Sequence, residues 1–231
     1  MKTLFLVLAL SLSINISFAE NKKDFPMDVK PPKGTNFKGS LLSPIEIVKK
    51  TRELDEDCDV SKPRSKKQRL SCEKTKKFLT SSCNQGNGHA CFQMSFRYLE
   101  EFPYGKNPKK ADALLRRGCV LKDGESCAKL GKKYQNGINV PSNIDTALKY
   151  YNESCNTGYA KGCTGVGSLF ILGAKTKEDK LIGLAFLKRS CFEMKESGAC
   201  YALADHYEKS DNKKLSKKFR TRADAIYNGD I

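Results

Sequence analysis

Ten cysteines stand in a chain of 231 residues that has two histidines and no tryptophan. Thiols hold metals, act as nucleophiles or pair as disulfides. Zinc sites favour ligand pairs separated by two to four residues, and neither C-x-x-C nor C-x-x-C-H occurs here. His89 and His206 stand outside any cluster of further ligands, so no metal and no other cofactor is expected. A Cys–His nucleophile needs a free thiol, which pairing removes.

The spacing favours pairing. Cys83, Cys119, Cys155 and Cys191 recur every 36 residues, and Cys91, Cys127, Cys163 and Cys200 follow at 36, 36 and 37. Three pairs have the form C-x7-C, and the last has one extra residue within Phe192 to Ala199. Ten cysteines permit many connectivities. Phase selects Cys83–Cys91, Cys119–Cys127, Cys155–Cys163 and Cys191–Cys200, and Cys58–Cys72 follows by elimination. Each short bridge contributes about 2.5 kcal/mol in the chain-entropy model.

Other residues keep the same phase and show which elements carry the cysteines. Three residues after each second cysteine stand Met94, Leu130, Val166 and Leu203; seven after it stand Tyr98, Tyr134, Phe170 and Tyr207. Four after it the residue is always small: Ser95, Gly131, Gly167 and Ala204. Apolar pairs precede each first cysteine, as in Leu114-Leu115 and Tyr150-Tyr151, and Ala111, Ala147 and Gly183 lie eight before. Offsets of 3, 4, 7 and 8 define one helical face. Two helices per period follow, and the fold class is an all-α solenoid of helical hairpins stapled by disulfides. In the clearest unit the first helix runs from Ser126 to Gln135 and stops near Asn136-Gly137. Ser142 then caps a second helix that runs to about Glu153.

Outside the repeats, Met1-Lys2, an apolar run to Ile16 and Ser17-Phe18-Ala19 predict a signal peptide over 1–19. The chain is therefore expected to be secreted or periplasmic, with no integral membrane segment once the signal is removed. A Pro-, Lys- and Gly-containing flexible arm is expected over 20–43. An N-terminal helical cap follows over 44–77, opened by the capping box Ser43-Pro44-Ile45-Glu46. The solenoid then fills 78–231 and ends on a capping helix from Lys213 to Asn228, whose Leu215, Phe219, Ala223 and Ile226 are spaced to face inward. Net charge is +16 and pI ≈ 9.4, which suits an acidic envelope surface or an acidic protein. Nucleic acid is not an expected partner of an exported chain without a binding module.

Phrases such as Cys127-Ala-Lys-Leu-Gly131, Tyr134-Gln-Asn-Gly137 and Asp145-Thr-Ala147-Leu-Lys-Tyr-Tyr151 resemble Sel1-like repeats, relatives of tetratricopeptide repeats. With the C-x7-C pairs added, the chain resembles the Helicobacter cysteine-rich protein family, some of whose members are called β-lactamases. The resemblance covers about 78–228. It implies, as one alternative, β-lactam binding or weak hydrolysis. Serine β-lactamases use S-x-x-K, S-D-N and K-T-G. This chain has Ser71-Cys-Glu-Lys74, Ser126-Cys-Ala-Lys129 and Ser210-Asp-Asn-Lys213, and lacks K-T-G. Roughly three S-x-x-K matches arise by chance in a chain this rich in serine and lysine, so no catalytic residue is assigned. The resemblance instead implies a concave groove for a protein or peptide partner. Arg97, Lys133, Leu169 and His206, one position before the aromatic column, are the residues expected to line it.

Overall fold

The computed structural model describes residues 42–55, 58, 65–99 and 104–231. The expected signal peptide and nearly all of the arm lie outside the described residues, as does the Glu100–Pro103 segment. The described residues fall within one compact unit, Gly34–Ile231.

Ten helices and no strand are found among them. These are α1 (Pro44–Asp55), α2 (Lys66–Asn84), α3 (Gly88–Arg97), α4 (Pro108–Val120), α5 (Gly124–Asn136), α6 (Ile144–Asn156), α7 (Ala160–Leu172), α8 (Lys177–Phe192), α9 (Ser197–Lys209) and α10 (Lys213–Asn228). Each helix packs on the next, and the first helices α3, α5, α7 and α9 also touch in succession. That pattern is an α/α solenoid, in which each unit contacts mainly its neighbours. None of the described helices is long and apolar enough to cross a membrane.

Local signals set the helix ends. The Ser43–Glu46 capping box forms reciprocally, with Ser43 N–H donating to Glu46 Oε2 at 2.6 Å and Glu46 N–H to Ser43 Oγ at 3.3 Å. Helix α5 ends on Gly137 at φ 66°, a left-handed conformation that glycine adopts without Cβ strain. Asn143, not Ser142, caps α6: its side chain accepts from Thr146 N–H at 2.8 Å. Ser142 instead donates to Gln135 O at 2.9 Å and closes the turn. The boundary expected between 77 and 78 falls inside α2, which runs unbroken from Lys66 to Asn84.

The small column is where helices cross. A Cβ on Gly131 would lie 2.7 Å from the Tyr151 ring, and one on Gly167 would lie 2.8 Å from Gly183 O. Around these crossings the core is built from Leu130, Val166, Leu187 and Leu203, all fully or almost fully buried. Phe219 and Ala223 of α10 are buried against α9, with Leu215 and Ile226 packed beside them.

Candidate functional site

Five disulfides link Cys58–Cys72, Cys83–Cys91, Cys119–Cys127, Cys155–Cys163 and Cys191–Cys200. The last four each tie the end of one second helix to the start of the next first helix, at Cα separations of 4.5–4.9 Å. No free cysteine remains. Such bridges persist in an oxidising compartment outside the cytosol.

Each of the last four bridges spans a turn of one design. A left-handed residue (Gly86, Lys122, Gly158 or Lys195) follows the second helix, and an N-cap residue (Asn87, Asp123, Tyr159 or Glu196) opens the first. The N-cap N–H donates back to the carbonyl just before the first cysteine, on Ser82, Gly118, Ser154 or Ser190. These small residues are buried, and Ser154 and Ser190 also donate from their hydroxyls to Gly124 O and Ala160 O. Successive junctions are thus hydrogen-bonded to one another along one edge. Sequence reasoning missed this column; its signal was a small residue before every first cysteine. The one extra residue in the last unit is absorbed in its turn, where the left-handed position comes four residues after Cys191 instead of three.

A groove of about 480 Å³ runs along that edge. It is lined by Asn87 and His89, then Lys122, Asp123 and Glu125, then Thr157 and Tyr159, and so draws on three consecutive junctions. His89 Nδ1 lies 3.2 Å from Asp123 Oδ2, and its Nε2 lies 3.3 Å from Gln93 Nε2. With Nδ1–H donating to Asp123, Nε2 accepts from the amide, so both ring nitrogens are occupied by the protein. Burial opposes ionisation of Asp123, yet hydrogen bonds from His89 and Ser126 N–H outweigh it and hold the carboxyl below its ordinary range. The Tyr159 hydroxyl is pushed up, by burial first and then by Glu125. The arrangement positions polar contacts along the groove.

None of the four residues expected to line a groove is among those lining this one. Arg97 pairs with Asp55 of α1 and Lys133 with Asp112 of α4, all four side chains being largely buried. Leu169 is 7% exposed and sits in a core cluster with Leu148 packed against it. His206 is half-buried, edge-on to Tyr207, and burial with Lys180 and Lys209 lowers its pKa. Lys133 thus meets the preceding second helix α4 and Arg97 reaches back to α1, so both serve packing between helices. Asp112 also receives Arg116, whose guanidinium donates to the hydroxyls of Tyr134 and Tyr150 at 2.7 and 3.0 Å. Burial pushes Tyr150 up to about 12.

The serine motifs gain no chemistry from the structure. Ser126 is wholly buried while Lys129 is exposed, so that hydroxyl has no route to a substrate. Ser71 donates to Leu54 O and Ser210 to His206 O. Among the described residues no group of acidic, histidine and cysteine side chains could hold a metal.

Among solved structures the chain is similar to a Sel1 repeat protein from Oxalobacter formigenes. The TM-score is 0.61 at 17% identity, over 78% of this chain and 70% of that one. A protective antigen of uropathogenic Escherichia coli displaying an SLR fold matches at TM-score 0.59 and 15% identity, over 79% of this chain and 38% of that one. The fold is that of Sel1-like repeats. An immunity protein from Pseudomonas aeruginosa shares it at TM-score 0.53 and 19% identity, over 80% of this chain and 67% of that one. By sequence, cytochrome c oxidase assembly factor 7 of Xenopus tropicalis is 26% identical over 170 residues, which is 65% of this chain and 71% of that protein. No family model matches the chain.

Proposed function

We propose that this chain is an exported interaction scaffold that holds a protein or peptide partner along the junction edge of its Sel1-like repeats. One observation carries the reading: a groove built from three consecutive junctions and lined by apolar as well as polar groups, whose only histidine is hydrogen-bonded at both nitrogens. A surface assembled from repeated turns suits an extended partner that meets each repeat in the same way. The five disulfides favour a periplasmic or extracellular setting. The distant likeness to a protein named as an assembly factor points the same way. The C-x7-C stapling favours a place beside the Helicobacter cysteine-rich proteins within the Sel1-like group.

Affinity capture from envelope extract with the oxidised chain tests this. Glu125→Arg with Thr157→Arg alters the groove rim without touching the core. Capture of the principal partner should fall at least about tenfold, equivalent to about 1.4 kcal/mol, with the melting temperature unchanged. Undiminished capture refutes the groove. Hydrolysis of nitrocefin by the purified chain, abolished by Ser126→Ala, would replace the scaffold with an enzyme.

A further inference from the structure

Helix α10 turns one face to the core and the other to solvent, and the solvent face is cationic. Lys213, Lys214, Lys217, Lys218 and Arg220 are all exposed. At 100° per residue they occupy an arc of about 160°, opposite Phe219 and Ala223, along about 10 Å of helix. Arg220 lies 3.4 Å from Asp205. Among the described residues no carboxylate lies within ion-pair distance of the four lysines. Asp224, the one acid on the arc, accepts from the Tyr201 hydroxyl. Tyr227, 79% exposed, flanks the arc on the Arg220 side.

We infer that this face docks the protein on an anionic phospholipid surface. The apolar side of α10 is already buried, so the helix cannot insert as an amphipathic anchor; attachment is electrostatic and peripheral. Four of the five cations are lysines, which act as hydrated point charges rather than as bidentate forks for carboxylates. A sheet of phosphate headgroups fits that diffuse pattern better than an acidic protein, whose recognition favours arginine. The exposed tyrosine beside the arc suits the headgroup level, where amphipathic rings settle. The four lysines together should raise partitioning on the order of 100-fold or more. This docking is independent of the junction groove.

Co-sedimentation of the oxidised chain with vesicles tests the inference. Binding should be strong to mixed phosphatidylglycerol–phosphatidylcholine vesicles, absent with phosphatidylcholine alone, and weakened by salt as the Debye length shrinks. Reversing Lys213, Lys214, Lys217 and Lys218 to Glu should lower it on the order of 100-fold, and Gln at the same positions by less. Reversing Lys106, Lys109, Lys129 and Lys132, equally exposed on α4, α5 and the loop before α4, should cost far less. Equal loss from both sets, equal binding to neutral vesicles, or no binding to anionic ones at low salt would overturn the inference. So would tight binding to soluble polyglutamate through the α10 lysines without vesicle binding. A melting temperature shared by wild type and the Gln variant shows that folding is not the cause.

Discussion

Gly131→Ala should destabilise this protein, although glycine to alanine inside a helix ordinarily stabilises by about 1 kcal/mol. The added Cβ would lie 2.7, 2.8 and 2.9 Å from three carbons of the Tyr151 ring. The ring has little room to move: a Cβ at Gly165 of α7 would lie only 2.5 Å from the same Cδ1 atom, and its hydroxyl donates to Gln135 Oε1 at 2.7 Å. Tyr151 is only 6% exposed. Overpacking at such a site costs about 3 kcal/mol, the upper end of its usual range. Subtracting the helix gain leaves a net loss of about 2 kcal/mol, or a melting-temperature drop of about 4–8 °C at this chain length. Thermal and denaturant unfolding of the oxidised protein measure it, and a double-mutant cycle assigns the cause. In a Tyr151→Leu background Gly131→Ala should become neutral or stabilising. A rise in stability in the wild-type background would refute the reasoning, because it would mean that the ring does not fill the space beside α5.

Replacing Cys119 and Cys127 together with alanine should cost about 2.5 kcal/mol, read as a lower denaturant midpoint for the oxidised protein; peptide mapping should find no Cys91–Cys119 bridge in the wild type. Lys133→Glu should cost about 1–3 kcal/mol and lower the melting temperature, because it leaves Asp112 facing a second carboxylate at a largely buried site. Burial opposes ionisation of Asp112, but hydrogen bonds from Lys133 and Arg116 outweigh it, so its folded pKa lies below the ordinary value. Its stabilisation is therefore full above the unfolded pKa of about 3.9 and is lost as pH falls through the lower folded value. Asp112→Asn should flatten that part of an acid-unfolding profile followed by circular dichroism.

Sequence spacing alone determined the period, the helix pairs, the inward stripe of α10 and the small column that includes Gly131 and Gly167. These properties are local. A helix buries one face, so residues 3, 4, 7 and 8 apart record it, and a 36-residue repeat writes the same record four times. The capping box at Ser43 and the stop at Gly137 were legible because they too are local, whereas at Asn143 the backbone chose between two adjacent capable side chains. What only the tertiary structure decided is which side of a first helix meets a neighbour and which meets solvent. Arg97 and Lys133 have the composition of a contact surface, yet they turn inward because Asp55 and Asp112 wait on helices 42 and 21 residues earlier in the chain. Conversely, His89 and Asp123 lie 34 residues apart and meet only because successive junctions stack along one edge. No periodicity marks such a meeting: periodicity reports that a face is covered, and the crossing of the packed helices decides what covers it.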